Sequence, residues 1–380
     1  MVTNLKQFMA KFSDEVVCRE HLIKQRWPDG KVKCQYCGHD KCYRIENGER
    51  FKCANNKCYK RFRVTVGTIF EASNVKLSTW FAAQYLIMNH KKGISSCQLA
   101  RDLGVTQKTA WFMLHRIREQ LRANNSPMLS GTVEIDETFV GGIVGNMSKK
   151  RRAALRTENG GTIQNKTMVV GMLERGGDLK FIAMGKETGS HVLQPLVRGN
   201  VATSANLITD SSANYEGLSK QYLSHEVVNH GEQEYVRPNG VHTNSIEGAF
   251  SLLKRSIIGI YHHVTPKHLA RYCDETAFRY NTRKVTDPQR FDISLMNVEG
   301  RLTYKQLTYE PEIVPAQFKE QIVMQQGKRR AVHQVKNGHI VNTFSTIKEA
   351  AEHTGLKKSH ISRVLWGKKK TTGGFEWKYA

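Results

Sequence analysis

The spacing of apolar and polar positions changes several times along the chain, and each change marks a different kind of element. Near the N-terminus, Tyr43-Arg44-Ile45 and Arg50-Phe51-Lys52-Cys53 alternate, as short half-exposed strands do. From Ser95 the period becomes helical. Leu99, Ala100 and Leu103 form one stripe; after Gly104 a second stripe, Ala110, Met113, Leu114 and Ile117, is expected inward, with Gln107, Lys108, Arg116 and Arg118 outward. Ser95 and Thr106 suit N-caps and Gly104 suits the turn between them, which together predict a helix-turn-helix. The centre reads differently. VEIDETFVGG, KTMVVGMLER, DLKFIAMGK and NLITD are short apolar or alternating runs, with helical patterns between the later ones, which predicts an α/β or α+β domain. From about Arg329 two short strands flank Asn337-Gly338. A helix capped by Ser345 then runs through Ala351, and a second spans Ser359 to Leu365, which is again a helix-turn-helix.

Composition sharpens this picture. Lys and Arg number 58 against 34 Asp and Glu, a formal charge of +24 over 380 residues. The excess is uneven: residues 1–125 hold 23 basic and 10 acidic side chains, residues 126–326 hold 23 and 21, and residues 327–380 hold 12 and 3. Two basic ends around a balanced centre point to a polyanionic partner gripped at both ends. Apolar residues make up 39%, and no run approaches the roughly 18 apolar residues of a spanning helix. The opening MVTNLKQFMAKFSDE lacks the apolar stretch of a secretory peptide, so an intracellular, DNA-associated protein is expected.

Two constellations carry chemistry. Cys34-x2-Cys37 and, after fifteen intervening residues, Cys53-x4-Cys58 supply two short thiol pairs, the spacing of a structural tetrahedral Zn²⁺ site in a zinc ribbon; Cys42 is an extra thiol inside it. In the centre, Asp136 ends the run VEI, Asp210 ends NLIT, and Glu247 opens the helix NSIEGAFSLLKRSI. Carboxylates at neighbouring strand ends with a third on a nearby helix can converge on two Mg²⁺ or Mn²⁺ ions for phosphoryl transfer, chemistry that calls for oxygen ligands. Glu134 and Glu137 flank Asp136 and are expected on the opposite face from it. Lys254 is seven residues after Glu247, on the same helix face, where it can meet a phosphate. The basic, Gly-rich segment GNMSKKRRAALRTENGGTIQNK reads as a loop that contacts phosphates or is solvated.

VEIDETFVGG, ITDSSANYEGL and HTNSIEGAFSLLKRSIIGIYHHVTPKHLARYCDETAFRYNTR resemble the DDE transposases of the Merlin-like insertion-sequence superfamily, over about residues 15–290. The resemblance implies a zinc ribbon, a helix-turn-helix and an RNase H-like catalytic core. Asp136, Asp210 and Glu247 would be its metal-binding triad and Lys254 its basic residue. Asn244 is a competing third ligand, since some members carry Asn there. Tyr261-His262-His263 also matches the family, in a DNA-facing or a packed role. The tail STIKEAAEHTGLKKSHISRVLWGKKKTTGGFEWKYA is similar to the NUMOD-type, intron-encoded nuclease repeat and implies an added DNA-binding module, with Lys368, Lys369 and Lys370 on phosphate.

The expected organisation is multidomain α+β: a zinc-ribbon region at 1–70, a helix-turn-helix domain at 71–125 and the catalytic domain at 126–309. A linker at 310–327 and the tail module at 328–380 complete it. The expected function is Mg²⁺-dependent hydrolysis at transposon ends followed by 3′-OH strand transfer into target DNA. The protein is expected to act as a homo-oligomer on double-stranded DNA, away from membranes. A catalytically inactive DNA-binding regulator and a homing-type endonuclease are the alternatives.

Overall fold

A computed structural model describes residues 4–122, 127–142, 148–149, 166–185, 189–228, 237, 240–308, 332–336, 339–344, 347–365, 369 and 371–379. The predicted linker, most of the basic segment before Lys166, and the tail residues Asn337, Gly338, Ser345, Lys368 and Lys370 lie outside them. The chain divides into two compact units, Met1–Ile313 and Val314–Ala380.

In the first unit, α1 (Leu5–Lys11) and α2 (Glu15–Arg26) begin at side-chain caps: Asn4 accepts from the Gln7 amide at 3.0 Å and Asp14 from that of Val16 at 2.7 Å. The predicted alternating runs form an antiparallel sheet of β1 (Cys42–Ile45), β2 (Arg50–Cys53) and β3 (Arg61–Phe62). Next comes α3 (Leu77–Asn89), which the sequence pattern did not single out. Trp80, Phe81, Ala83, Tyr85, Ile87 and Met88 are all buried, so the helix is apolar nearly all round and shows no one-sided stripe. Its first amides, on Leu77 and Ser78, donate to the Glu15 carboxylate at 2.9 and 2.7 Å.

The helix-turn-helix follows as expected: α4 (Ser96–Leu103) is capped by Ser95, Gly104 turns in the left-handed region at φ +63°, and Thr106 caps α5 (Gln107–Gln120). One hydrophobic core joins these parts. Leu22, Phe51, Phe62, Trp80, Phe81, Leu99, Met113 and Ile117 pack in it with Phe291, Leu295 and Val298 from near the end of the unit. Each fully buried side chain of this size contributes about 1.5–3 kcal/mol. The ribbon and the helix-turn-helix are therefore built onto one shared core.

The central sheet comprises β4 (Thr132–Gly141), β5 (Lys166–Glu174), β6 (Leu179–Ala183), β7 (Asn206–Asp210) and β8 (Ser224–Val228), with α6 (Ser190–Asn200) between β6 and β7. Strand order is β6-β5-β4-β7-β8. The first three are antiparallel neighbours, whereas β7 and β8 run parallel to β4. Strand β5 is buried at seven consecutive positions, as a strand covered on both faces must be. Helix α7 (Asn244–Ser256), a π-helical turn (Ile257–Tyr261) and α8 (Pro266–Asn281) pack against the sheet, with Phe250 stacked on Phe181 at 5.3 Å between ring centroids. Gly171, paired with Asp136, makes room for this: a Cβ there would stand 2.6 Å from Ile246 and 2.7 Å from Phe250. Helix α9 (Asp287–Leu295) starts at a Thr286/Gln289 capping box. Among the described residues no helix is long and apolar enough to cross a membrane.

The second unit holds a sheet of β9 (Val332–Lys336), β10 (His339–Phe344) and β11 (Glu376–Tyr379) in the order β10-β9-β11, with α10 (Ile347–Thr354) and α11 (Lys358–Leu365). Val332, Phe344, Ala350, Ile361 and Trp377 form its core. The first helix runs three residues past its expected end, and β11 is a third strand that the sequence pattern left unassigned.

Candidate functional site

Strand β4 does not end at Asp136; it continues to Gly141 on its β5 side. On its other side, parallel pairing with β7 stops at Glu134 and Ile208. Two residues beyond that point stand Asp136 and Asp210, so both aspartates flank the place where the strands part. Asp136 Oδ1 accepts from the Glu137 amide at 2.7 Å, and Asp210 Oδ1 from the Ser212 amide at 3.1 Å, which orients each carboxylate. Carboxylate oxygens of Asp136, Glu137 and Asp210 all lie within 4.8 Å of one another.

Glu137 in that group, and Glu134, overturn the expectation that both flanking glutamates face away from Asp136. Glu134 is two residues from Asp136 and so shares its face. Glu137 is on the opposite face, but where β7 has parted from β4 its carboxyl reaches round to the aspartates. Burial pushes the Glu137 carboxyl up to about 7, with the Tyr215 hydroxyl beside it working the other way and the charges of Asp210 and Asp136 adding to the rise. Burial is the largest of these effects and prevails. Three carboxylates this close suit a hard divalent cation, which takes oxygen ligands and relieves their mutual repulsion.

Glu247 stands exposed in the first turn of α7, outside the group of three, and Asn244 is the exposed first residue of the same helix. The helix is tied to β4 by Glu134, which is fully buried and accepts from the Ser245 and Ile246 amides at 2.9 and 3.0 Å. Further along α7, Lys254 is exposed and lines an open hollow with Lys92, Ser251, Arg255, Ile258 and Gly259. His262 and His263 are exposed, whereas Tyr261 is packed and donates to Glu275 at 2.6 Å.

The four cysteines meet. The sulfurs of Cys34, Cys37, Cys53 and Cys58 lie within 4.8 Å of one another, with Cys34 to Cys58 at 3.9 Å and Cys37 to Cys53 at 3.6 Å. Cys42 is outside this group, although it pairs with Cys53 across the hairpin. Burial opposes ionisation of Cys34, yet the amides of Tyr36 and Cys37 together with the Cys37 and Cys53 thiols outweigh it and bring the thiol down to about 7. Four thiols on two turns fit tetrahedral zinc.

On the helix-turn-helix, Gln107 and Lys108 are exposed at the start of α5 as expected. Arg116 and Arg118 are not: they are 3% and 1% exposed, which corrects their assignment to DNA. The second half of α5 is covered all round, so its outer stripe becomes an interior face. Arg116 donates to the carbonyls of Leu302 at 3.0 Å and Glu71 at 2.8 Å. Arg118 donates to Glu275 of α8 at 2.6 Å and lies 4.0 Å over the Tyr272 ring. Arg279 closes the same cluster on Glu275. Burial alone would raise the Glu275 carboxyl, but Arg279 and Arg118 hold it at about 2. In the second unit, Lys369 is exposed.

Comparison with known proteins places these features. Residues 128–281 match the model of the ISXO2-like transposase domain, residues 13–61 a transposase zinc-ribbon domain, and residues 330–378 a DNA endonuclease I-HmuI-like, NUMOD-like domain. The chain is 30% identical over 244 residues to an uncharacterized protein in transposable element ISH50 of Halobacterium salinarum, a match covering 62% of this chain and 80% of that one. Over 52 residues it is 42% identical to the uncharacterized HNH endonuclease L245 of Acanthamoeba polyphaga mimivirus, covering 13% and 16% of the two chains. Among solved structures, the Mos1 strand transfer complex is 11% identical, with 59% of this chain and 79% of that chain covered and a TM-score of 0.19. A pre-cleavage Mos1 transpososome is 12% identical, with 80% and 100% covered and a TM-score of 0.18.

Proposed function

Since the chain belongs to the ISXO2-like transposase family, we propose that it cuts DNA at the ends of its own element and joins the freed 3′-OH to target DNA, with Mg²⁺ or Mn²⁺ at the central carboxylates. The observation that carries this reading is the convergence of Asp136 and Asp210 from adjacent parallel strands to within 4.8 Å, with Glu137 beside them. The strand order β6-β5-β4-β7-β8, antiparallel then parallel, supports an RNase H-like core for residues 126–309.

Asp136 and Asp210 hold the divalent ions, and Glu247, carried to the strand by Glu134, completes the ligand set. When bound, those ions supply the positive charge that lowers the cost of ionising the attacking oxygen and of releasing the departing one. The protein's other residues place the DNA. Lys254, Arg255 and Lys92 line a basic hollow for a phosphate, and Gln107 and Lys108 at the exposed start of α5 reach base edges. Cys34, Cys37, Cys53 and Cys58 hold a structural zinc that closes the ribbon. The tail module, through Lys369 and its neighbours Lys368 and Lys370, adds phosphate contacts.

The test uses purified protein, Mg²⁺, a labelled duplex carrying the end of the element and a supercoiled plasmid. Labelled strand joined to plasmid, lost in Asp136→Asn and Asp210→Asn, is the expected result. End binding without cleavage in Mg²⁺ or Mn²⁺ would instead establish a regulator, and cleavage without joining an endonuclease.

A further inference from the structure

Glu134 is fully buried and is not itself one of the proposed metal ligands. Its two oxygens are divided between two tasks. Oε2 accepts from the amides of Ser245 and Ile246 at 2.9 and 3.0 Å, two of the donors that the first turn of α7 leaves without an intrahelical partner. Oε1 accepts from Arg175 Nε at 2.6 Å, and His242 Nδ1 is 3.5 Å away. The rest of the Arg175 guanidinium reaches past Glu134 to the segment leading into the helix: Nη1 donates to the Gly240 carbonyl and Nη2 to that of His242, both at 2.8 Å. A carboxylate on strand β4 and an arginine just after β5 thus hold the chain from Gly240 to Ile246 at the start of α7.

What that grip fixes is the spacing of the catalytic carboxylates. Ile246, whose amide Glu134 holds, directly precedes Glu247. Along the strand, Glu134 is two residues from Asp136, on the same face and about 6.6 Å away at the usual rise of a strand. One buried carboxylate therefore links the backbone beside Glu247 to the strand that carries Asp136. Gly171 completes the register, since it faces Asp136 on β5 and lets Ile246 and Phe250 come against the strands.

We propose that Glu134 is the positioning residue of the metal centre: with Arg175 it sets where Glu247 stands relative to Asp136. The inference deepens the reading above and rests on Glu247 being a metal ligand. The chemistry requires a carboxylate at this position. Two amides and a guanidinium need two acceptor oxygens; glutamine offers one, and its NH₂ would face a donor. Groups that orient metal ligands typically matter by about 10- to 100-fold in metal affinity or activity.

The experiment measures Mn²⁺ binding to the full chain by electron paramagnetic resonance, alongside strand joining as a function of Mg²⁺. Wild type is compared with Glu134→Gln, Glu247→Gln and the double variant, and Asp210→Asn sets the floor. Glu134→Gln is expected to bind the element end as wild type does while losing about 10-fold or more in Mn²⁺ affinity. Because Glu134 acts through Glu247, the double variant should be no weaker than Glu247→Gln alone. Arg175→Lys, which keeps the charge but gives up the fork, should shift Mn²⁺ affinity in the same direction and serves if Glu134→Gln does not fold. Wild-type Mn²⁺ affinity in Glu134→Gln, or additive losses in the double variant, overturns the proposal. Wild-type affinity in Glu247→Gln removes Glu247 from the metal set and the proposal with it. Absence of joining by the wild type, with the Mn²⁺ pattern intact, contradicts only the reaction assigned above.

Discussion

Arg118 shows what a single side chain in this molecule is for. Its position on α5 made it look like a DNA contact, because helical spacing turns it away from Met113 and Ile117. Its partner, Glu275, is 157 residues further along the chain, and no local pattern reports a pairing at that range. Burial of a charge is tolerated here because Glu275 receives Arg118, Arg279 and the Tyr261 hydroxyl together. Arg118→Met leaves Glu275 short of one partner in a buried site and is expected to destabilise the first unit by about 3–5 kcal/mol. Denaturant unfolding checks this, and a change below about 1 kcal/mol would show the pair to be dispensable. Glu134 and Glu137 were obscure for the same reason. The amides that Glu134 serves are more than 110 residues away, and the parting of β4 from β7 that frees Glu137 is a property of the sheet. By contrast Cys34, Cys37, Cys53 and Cys58 could be read at once, because metal ligation imposes a local spacing.

Among the elements, those with one buried face or side-chain caps were legible: α4 and α5 with their Ser95 and Thr106 caps, the hairpin of β1 and β2, and the runs that became β4 to β7. Helix α3 was not, because a helix buried on every side has no polar stripe to give its period. The contact between α5 and α8 also carries a pH dependence. His115 is fully buried, with its ring 4.6 Å from that of His268 and with Trp111 and Tyr272 around it. Burial, then Arg271, Lys267 and Arg118, push His268 down to about 4; burial, then Arg118, His268 and Arg271, push His115 lower still. Both histidines are therefore neutral in the folded protein at neutral pH, whereas in the unfolded chain they take up a proton near pH 6.5. Between about 6.5 and 4 the unfolded state binds more protons, so stability should fall as pH falls through that window. His268→Gln is expected to flatten the decline in melting temperature from pH 7 to 4.5, read by circular dichroism. An unchanged slope would mean that these imidazoles are not the groups responsible.

At the scale of the whole molecule, the ribbon is tied to the rest. Cys34, Cys53, Phe51 and Phe62 belong to the same core as Trp80, Leu99 and Phe291. Arg26 adds ties from α2 to the carbonyl of Val66 at 3.1 Å and to Glu299 at 2.8 Å. Removing zinc should consequently weaken the first unit as a body. Cys37→Ser is expected to lower zinc content to well below one per chain and to shift the main calorimetric transition of the first unit downward. Loss of a separate, minor transition alone would show that the ribbon folds independently.

The account as a whole depends on where divalent cations bind, and anomalous diffraction from crystals grown with Mn²⁺ reads this directly. Manganese density within about 2.1 Å of Asp136 and Asp210 oxygens, with Glu247 as a further ligand, is the expected result. Ordered manganese elsewhere on the protein, with Asp136 and Asp210 unligated, would contradict it.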